Sequence, residues 1–281
     1  MNATEILILI PARFDSKRFP GKPLADLCGQ TLLQRVWQIA QTAQSNIKNT
    51  HPSLKIQTYV ATEDQRIVEH CQQHAMACLL TSDQCNSGTE RAAEALIQLK
   101  SNADYVINLQ GDNSLCPPWF VEEIISNILN TADSSQPSVT TPYVQLSWEA
   151  LDSLRLEKQT TPFSGTCVIE NHEHKALWFS KNIIPAIRKE SSLRSQPLSP
   201  VKRHIGLYAY HRDILLNLKT LPHTPYEDLE GLEQLTFLEA GIPIHLVEVD
   251  YRGRTGMTGI DSPEDLARAQ HIIETEGEIT A

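Results

Sequence analysis

Several features that mark other protein classes are missing from this 281-residue sequence. Its six cysteines form no C-x-x-C pair, and six is far below the cysteine density of a disulfide-stabilised secreted domain. The longest early apolar run, at residues 6–10, lacks a preceding basic segment and is too short for a signal peptide or a membrane span. We therefore expect reduced, mostly buried thiols and a cytoplasmic protein.

Positive charge is also scarce. The chain carries 24 basic and 34 acidic residues, for a formal net charge of −10, and no long basic stripe is visible. Binding to duplex nucleic acid depends on many phosphate contacts from lysine and arginine, so we expect neither nucleic acid nor a membrane as a partner. An acidic chain can still bind a small anion where basic groups are concentrated locally.

Three common signatures are absent as well. The sequence has no G-x-x-x-x-G-K-[ST] loop, no G-x-G-x-x-G loop and no G-x-S-x-G elbow. These absences argue against a Walker A nucleotidase, a typical dinucleotide-binding protein and an α/β-hydrolase.

Strand and helix patterns alternate through the first half of the chain. Residues 6–10 form a continuous apolar run typical of a strand buried on both faces, and further strands are predicted at 56–61, 75–80 and 105–109. Helical spacing lies between them, from Leu32 to Ala43 and at 64–74 and 89–99, and Pro118 opens a helix over 119–129. The alternation predicts an α/β fold with a mostly parallel sheet.

The second half is less regular. We predict an antiparallel pair at 161–169 and 175–179, a mobile loop at 189–200, a helix at 230–240 and a strand at 244–249. A polar loop is predicted at 46–54, and Asp261 is expected to cap a last helix that has Pro263 in its first turn.

A short basic segment directly follows the first predicted strand. It carries four basic residues: Arg13, Lys17, Arg18 and Lys22. Ligands of open α/β sheets bind at the carboxyl ends of the strands, so this segment suits a polyphosphate. A merely solvated basic loop is the alternative, but Pro20 and Pro23 restrict this loop, and a solvated loop needs no such stiffening.

At this point the sequence resembles a family. Ile10-Pro11-Ala12-Arg13, with Ser16 and Arg18 to Pro23, is similar to the nucleotide loop of sugar-acid cytidylyltransferases, and most similar to the 3-deoxy-manno-octulosonate (Kdo) cytidylyltransferase, or CMP-Kdo synthetase, family. Further blocks follow in the family's order: Ala61-Thr62-Glu63-Asp64, Ser87-Gly88-Thr89-Glu90-Arg91, Ile107-Asn108-Leu109-Gln110-Gly111-Asp112, Ala176-Leu177-Trp178-Phe179-Ser180, His204-Ile205-Gly206-Leu207-Tyr208, Leu232-Glu233-Gln234-Leu235 and Gly259-Ile260-Asp261-Ser262-Pro263-Glu264-Asp265-Leu266. A single block is a weak signal, but the ordered set spans nearly the whole chain.

The resemblance implies a fold, a reaction and an assembly. It implies a Rossmann-like nucleotide-diphospho-sugar transferase fold in one domain, residues 1–281, with a nucleotide-binding half over 1–132 and a sugar-binding and dimerisation half over 133–281. The implied enzyme is a Mg²⁺-dependent nucleotidyltransferase that transfers CMP from CTP to the anomeric hydroxyl of a 2-keto-3-deoxy sugar acid by in-line displacement, releasing pyrophosphate. A homodimer formed through the antiparallel insertion and a role in lipopolysaccharide or surface-polysaccharide precursor synthesis are implied too.

The resemblance also assigns candidate site residues. Asp112 and Asp261 are the implied Mg²⁺ carboxylates, and Arg13 and Lys22 complete the catalytic set. The CTP set by family position is Arg13, Ser16, Lys22, Ser87, Thr89 and Gln110, with Lys17 or Arg18 nearby. The sugar-acid set is Lys181, His204, Tyr208, Glu233 and Gln234.

Plainer interpretations stand beside several of these assignments. Asp112 lies in a turn-rich stretch, Asp261 can be a helix cap alone, and Ser87 can serve only to begin a helix. His204 can be a structural histidine. Arg91 and Glu90 can form a surface pair.

The sequence departs from the family's pattern at three places. Asn113 and Ser114 follow Asp112 where the family has an acid or amide and then proline, and a family lysine is missing near residues 165–168. Lys181 replaces an arginine, which keeps the charge but loses bidentate carboxylate binding. Two departures fall near the sugar side, so another ulosonic acid, such as an amino-Kdo, is an alternative substrate. An enzyme that uses a phosphonate or an alcohol phosphate as its acceptor also stays open, as does a non-catalytic nucleotide-binding paralogue.

Overall fold

The computed structural model describes residues 4–15, 18–131, 136–256 and 259–280. Its strands are β1 (Glu5–Pro11), β2 (Asp26–Leu27), β3 (Gln30–Thr31), β4 (Lys55–Thr62), β5 (Cys78–Leu80), β6 (Tyr105–Leu109), β7 (Val139–Ser147), β8 (Cys167–Glu170), β9 (Ala176–Ser180), β10 (Leu198–His204), β11 (Leu207–His211) and β12 (Ile244–Glu248). Its helices are α1 (Leu32–Thr50), α2 (Gln65–Gln73), α3 (Gly88–Gln98), α4 (Pro118–Thr131), α5 (Trp148–Thr160), α6 (Glu190–Leu193), α7 (Arg212–Leu216), α8 (Pro225–Glu230), α9 (Gln234–Glu239) and α10 (Pro263–Glu276), with 3₁₀ turns at Lys22–Leu24 and Leu218–Thr220.

The chain divides into two compact units. The first comprises Met1–Asn130, Leu207–Leu218 and Tyr251–Ala281, and the second comprises Thr131–Gly206 and Lys219–Asp250. The chain therefore passes into the second unit near residue 131 and returns twice, carrying β11 and α10 back to the first unit.

The first unit contains a mostly parallel sheet. Its strands lie in the order β5-β4-β1-β6, all parallel, and β11 pairs antiparallel with β6. In β1 every residue from Ile6 to Pro11 is buried, as its uninterrupted apolar sequence predicts. The predicted parallel α/β arrangement is thus confirmed.

Side-chain caps set where the helices of the first unit begin. Thr31 and Gln34 form a reciprocal capping box at α1, and Asp64 and Ser87 accept backbone N–H bonds at the starts of α2 and α3. α1 continues to Thr50, so the loop predicted from residue 46 begins too early. The apolar positions Ala43 and Ile47 stay in helical register on the buried face and extend the helix.

The second unit is built around antiparallel strands. β10 pairs antiparallel with β7 and β8, β8 pairs antiparallel with β9, and β12 runs parallel to β7. The predicted antiparallel pair is confirmed, but β8 begins only at Cys167. The helix α5 ends at Thr160 with Thr161 as its cap residue, and the chain then turns through Gly165, whose φ is +63°.

Three local predictions about the later chain are wrong. The segment predicted as a mobile loop at 189–200 contains α6 and the start of β10, because Arg155 and Arg194 both bind Asp152 and Glu190. The helix predicted at 230–240 begins only at Gln234, as α9, since Gly231 ends the preceding α8 in the left-handed conformation at φ +62°.

The third correction concerns the last helix. Ser262, not Asp261, caps α10, and it forms a capping box with Asp265. The carboxylate of Asp261 is therefore not used to begin the helix. Pro263 does stand in the first turn, as predicted.

None of the helices in the described ranges is both long and apolar enough to cross a membrane.

Candidate active site

A cavity of about 270 Å³ opens in the first unit where β1 and β6 end. Four of the residues predicted from the sequence line it: Arg13, Lys22, Gln110 and Asp112. Arg13 follows β1 and Gln110 follows β6, so the cavity lies at the carboxyl ends of parallel strands. Asp15 and Gly88 line the same cavity.

Two carboxylates converge on one lysine beside this cavity. The ammonium of Lys22 lies 2.9 Å from Oδ2 of Asp112 and 3.1 Å from Oδ1 of Asp261. The guanidinium of Arg18 lies 3.0 Å from the other oxygen of Asp261. A positive charge thus sits between the two carboxylates that the resemblance assigns to Mg²⁺.

Backbone contacts explain how distant segments reach this point. The Ile260 N–H donates to the carbonyl of Asp112 at 3.2 Å, and the Gly111 N–H donates to the carbonyl of Pro11 at 3.1 Å. A Cβ at Gly111 would lie 2.8 Å from that same Pro11 oxygen. Glycine is therefore required at 111, because the end of β6 could not otherwise approach β1 so closely.

The charge state of Lys22 follows from its neighbours. Burial opposes the ammonium, but the carboxylates of Asp112 and Asp261 together outweigh burial and raise the pKa of Lys22 above its usual value. Lys22 is therefore charged at neutral pH and holds the two carboxylates close despite their mutual repulsion.

Arg13, which lines the same cavity, is held in place by a backbone carbonyl. Its guanidinium donates to the backbone carbonyl of Cys85 at 2.7 Å. The carbonyl belongs to the loop before α3, so β1 and the start of α3 together fix the position of this cation. Sequence reasoning did not find Cys85, since a backbone carbonyl leaves no residue-type signal.

The start of α3 faces Gln110. Ser87 accepts the Glu90 N–H and so does act as a helix cap, and the next residue, Gly88, packs against the Gln110 amide. A Cβ at Gly88 would lie 2.8 Å from both terminal atoms of that amide. The Gln110 side chain also donates to Oδ1 of Asn108 at 3.1 Å.

Asn108 is a polar residue that the sequence argument did not single out. It is fully buried in β6, and its Nδ2 has no hydrogen-bond partner among the described residues. A buried donor without a partner costs free energy unless a ligand or water satisfies it, so this amide marks a polar side of the site. Its place between Ile107 and Leu109 in an apolar strand is the signal that could have revealed it.

Two other residues of this block have buried side chains. Thr89 is buried, with Oγ1 3.3 Å from the Tyr210 hydroxyl. Arg91 is 1% exposed and binds Glu63 at 2.6 Å and Thr81 at 2.5 Å. The interpretation of Arg91 and Glu90 as a surface pair is wrong, because the helix turns Arg91 inward toward the end of β4.

The sugar-side candidates of the second unit include a neutral histidine beside a lysine. Burial, above all, and the neighbouring Lys181 ammonium lower the pKa of His204 to about 3, so its imidazole is neutral at physiological pH. Its Nε2 lies 2.8 Å from Oγ1 of Thr141, and Phe179 packs edge-on at 5.1 Å. His204 therefore has structural partners as well as a cation beside it.

Lys181 is half-buried and held by its backbone. Its N–H donates to Glu230 at 2.7 Å, and its carbonyl accepts from Lys158 at 2.5 Å. Burial lowers the pKa of Lys181, and the Glu230 carboxylate partly offsets this. A partly desolvated ammonium on an anchored stretch of backbone suits recognition of a carboxylate.

The remaining candidates lie in different places. Gln234 opens α9, and its buried Nε2 has no hydrogen-bond partner among the described residues, whereas Glu233 is the preceding cap residue. Tyr208 belongs to the first unit, in β11, and stacks on Tyr210 with ring centroids 5.8 Å apart. The family block from His204 to Tyr208 is divided between two strands, since β10 ends at His204 and β11 begins at Leu207. Ser16 and Lys17 lie outside the described residues.

Comparison with known proteins decides the family. A family model described as cytidylyltransferase matches residues 7–246. The 3-deoxy-manno-octulosonate cytidylyltransferase of Maricaulis maris is 42% identical over 98% of this chain and 99% of its own length. The chain belongs to the 3-deoxy-manno-octulosonate cytidylyltransferase family. It is thus an enzyme of the nucleotidyltransferase class.

Other relatives agree along the whole chain. The Porphyromonas gingivalis enzyme of the same name is 33% identical over 98% of both chains. A solved structure of a CMP:2-keto-3-deoxy-manno-octonic acid synthetase complexed with CTP superposes with a TM-score of 0.81 at 31% identity, covering 97% of this chain and all of that one. The predicted nucleotide-sugar transferase fold is confirmed. A cytidylyltransferase from Leptospira borgpetersenii, 12% identical with a TM-score of 0.55, shares the fold.

Asn113 and Ser114, which follow Asp112, both form hydrogen bonds that order this segment. Ser114 is buried, and its hydroxyl donates to the carbonyl of Leu32, the first residue of α1, at 3.3 Å. The Asn113 N–H closes a turn onto Gln110 at 3.0 Å. A hydroxyl hydrogen bond and a turn thus order this segment.

Proposed function

We propose that this enzyme transfers CMP from CTP to the anomeric hydroxyl of Kdo or a close analogue, releasing pyrophosphate. The hydroxyl oxygen bonds to the α-phosphorus, the α–β phosphoanhydride bond breaks, and the hydroxyl proton is released. The observation that carries the proposal is the convergence of Asp112, Asp261 and Lys22 at the cavity that Arg13 and Gln110 also line. The solved relative complexed with CTP supports the choice of nucleotide.

The cations and the amide have separate tasks in this proposal. Arg13, held by the Cys85 carbonyl, and Lys22 bind the triphosphate and neutralise charge on the departing pyrophosphate. The Gln110 amide, which contacts Gly88 and Asn108, recognises the cytosine edge by hydrogen bonds. We assign Ser87 and Thr89 to the cytidine contacts as well, by their position in the family's block. In-line displacement needs no protein nucleophile, so positioning and charge neutralisation supply the catalysis.

We propose Mg²⁺ as the cofactor, and the donor set fits it. Mg²⁺ prefers oxygen ligands and is commonly held by one or two carboxylates together with phosphate oxygens and water. The carboxylates of Asp112 and Asp261 both lie within 3.1 Å of the Lys22 ammonium, so they are close enough to share one cation. The described residues contain no cluster of three or more metal-ligating side chains, so the remaining ligands would be phosphate oxygens and water. When bound, Mg²⁺ supplies Lewis-acid neutralisation of phosphate oxygens.

The sugar acid is the less constrained substrate. We assign its carboxylate to Lys181 and its hydroxyls to His204, Tyr208, Glu233 and Gln234. The unpartnered buried amide of Gln234 and the partly buried ammonium of Lys181, whose backbone N–H donates to Glu230, support these polar contacts. Lys181 in place of the family's arginine favours an altered ulosonic acid as the second candidate. The role in lipopolysaccharide or surface-polysaccharide precursor synthesis belongs to this proposal.

Pyrophosphate release tests the proposal directly. The purified chain is assayed with CTP and Mg²⁺ against Kdo, an 8-amino analogue and sialic-type acids, with ATP, GTP and UTP as nucleotide controls. We expect release with CTP and a Kdo-type acid only. If no acid in the panel gives pyrophosphate release while CTP still binds, the result would point instead to another acceptor or to a non-catalytic paralogue.

Loss of the Lys181 ammonium is expected to affect the sugar acid selectively. Lys181→Ala removes a charge-assisted hydrogen bond, so KM for the sugar should rise about tenfold while KM for CTP changes little. Steady-state kinetics with each substrate varied in turn measure both constants. Lys175→Ala, at a partly exposed lysine paired with Glu173 in the same unit, is the control. An unchanged sugar KM would remove Lys181 from the site.

We also propose a homodimer formed through the second unit. Leu177 on the terminal strand β9 and Tyr226, whose ring packs on Trp178 of that strand, are exposed. Leu193 and Leu198 are exposed too, and they line an apolar cavity of about 380 Å³. An exposed strand edge with apolar side chains favours pairing with another chain. Sedimentation velocity should give about twice the 31.5 kDa chain mass. Leu177→Glu should shift the protein to the monomer, whereas Leu80→Glu in the first unit should not.

A further inference from the structure

The basic loop that follows β1 is closed at its base by a backbone hydrogen bond. The Gly21 N–H donates to the carbonyl of Phe14 at 2.9 Å. Arg13 directly precedes this bond and Lys22 directly follows it. The bond between Phe14 and Gly21 therefore sets the spacing of the two cations that line the nucleotide cavity.

The Phe14 ring reinforces the closure. A Cβ at Gly21 would lie 3.1 Å from the ring's Cζ, and Gly21 has a φ of +72°. Both facts require glycine at this position, since any larger residue would be strained in the left-handed region and would push the ring away. The ring is thus packed tightly against the closing residue of the loop.

A cation from α2 covers the same ring. The guanidinium carbon of Arg66 lies 3.3 Å from the centroid of Phe14. Arg66 is oriented by a bidentate ion pair with Asp64, at 2.9 and 2.5 Å, and Asp64 is itself the cap residue of α2. The Arg66 hydrogen bonds, above all, lower the pKa of Asp64, which keeps the carboxylate charged and the guanidinium in place.

We propose that Arg66 is a positioning residue for nucleotide binding, acting through Phe14. The helix start at Asp64 holds Arg66, Arg66 holds the Phe14 ring, and the ring holds Gly21, so Arg13 and Lys22 are presented to the triphosphate at a fixed separation. The inference rests on the proposed function, because it assigns the triphosphate to this loop. It extends that function to a side chain of α2 that does not line the nucleotide cavity.

Calorimetric titration with CTP tests the inference. Arg66→Ala removes the cation–ring contact, and Phe14→Leu keeps an apolar side chain beside Gly21 but offers no ring face. Each should weaken CTP binding about fivefold, the effect of losing one partly exposed cation–π contact. The double variant should bind CTP no more weakly than the weaker single variant, because both changes interrupt one contact. Arg66→Lys should recover part of the affinity.

Kinetic and stability measurements complete the test. In Arg66→Ala the KM for the sugar acid and the midpoint of thermal unfolding should stay close to those of the parent, which separates positioning of the loop from a general structural role. Arg194→Ala is the matched control, since Arg194 combines the same two contacts, a carboxylate pair and a ring face on Trp148, in the second unit. It should leave the CTP affinity unchanged.

Two results would overturn the inference. One is a CTP affinity in Arg66→Ala within experimental error of the parent. The other is full additivity of the two substitutions, which would mean that Arg66 contacts the nucleotide directly rather than through Phe14. Either result leaves the proposed function intact if the parent chain binds CTP and releases pyrophosphate. Failure of the parent to bind CTP would instead contradict the proposed function itself.

Discussion

Asp112→Asn is expected to lower the rate of pyrophosphate release by about a thousandfold while the fold is retained. Asparagine keeps the size and the hydrogen-bonding oxygen of aspartate but removes the negative charge. In the structure this charge is one of two that meet at the Lys22 ammonium, at 2.9 Å. Without it, the proposed Mg²⁺ site retains a single carboxylate, and a single carboxylate holds a hard cation weakly.

The measurement is the turnover number with saturating CTP, Mg²⁺ and the best sugar acid from the panel, together with the circular dichroism spectrum. Asp15→Asn is the matched control, because Asp15 lines the same cavity and is not among the carboxylates bound by Lys22. It should retain turnover within about threefold, as expected for a group outside the reacting centre. Near-normal turnover in Asp112→Asn would contradict the metal assignment.

Lys22→Met is expected to have two opposite effects. Turnover with CTP should fall about a hundredfold or more, because an ammonium near the triphosphate is lost. In the absence of nucleotide, however, Mn²⁺ should bind more tightly than to the parent chain. Lys22 lies within 3.1 Å of both carboxylates, so it neutralises the pair and competes with any cation that binds them.

Electron paramagnetic resonance of free Mn²⁺ measures the second effect without any enzymatic turnover, and Mn²⁺ shares the preference of Mg²⁺ for oxygen ligands. Lys55→Met is the control, since Lys55 is an exposed lysine with a carboxylate partner, Glu5, at 2.5 Å. It should change neither turnover nor Mn²⁺ affinity. Equal Mn²⁺ affinity in Lys22→Met and the parent would show that Asp112 and Asp261 are not a shared cation site.

Local features of the fold could be predicted because they depend on short stretches of chain. The apolar run of β1 is buried along its length, and Pro118 begins α4 as its fixed φ requires. Errors occurred where one local signal competed with another. Asp261 and Ser262 can both cap a helix, and Asp265 decides in favour of Ser262 by completing a capping box. Gly231 interrupts a helical pattern that periodicity alone would continue.

The candidate site shows a sharper division between sequence and structure. The basic loop after β1, the carboxylate after β6 and the ordered family blocks could be identified without a structure, because each is contiguous and chemically distinct. The folded chain was needed to show that Lys22 binds Asp112, 90 positions away, and Asp261, 239 positions away. It also decided that Arg91 turns inward to Glu63 and that Arg66 covers Phe14. These contacts depend on which strand ends and helix starts the parallel sheet brings together, and side-chain pairing across such distances leaves no periodic signal in one sequence.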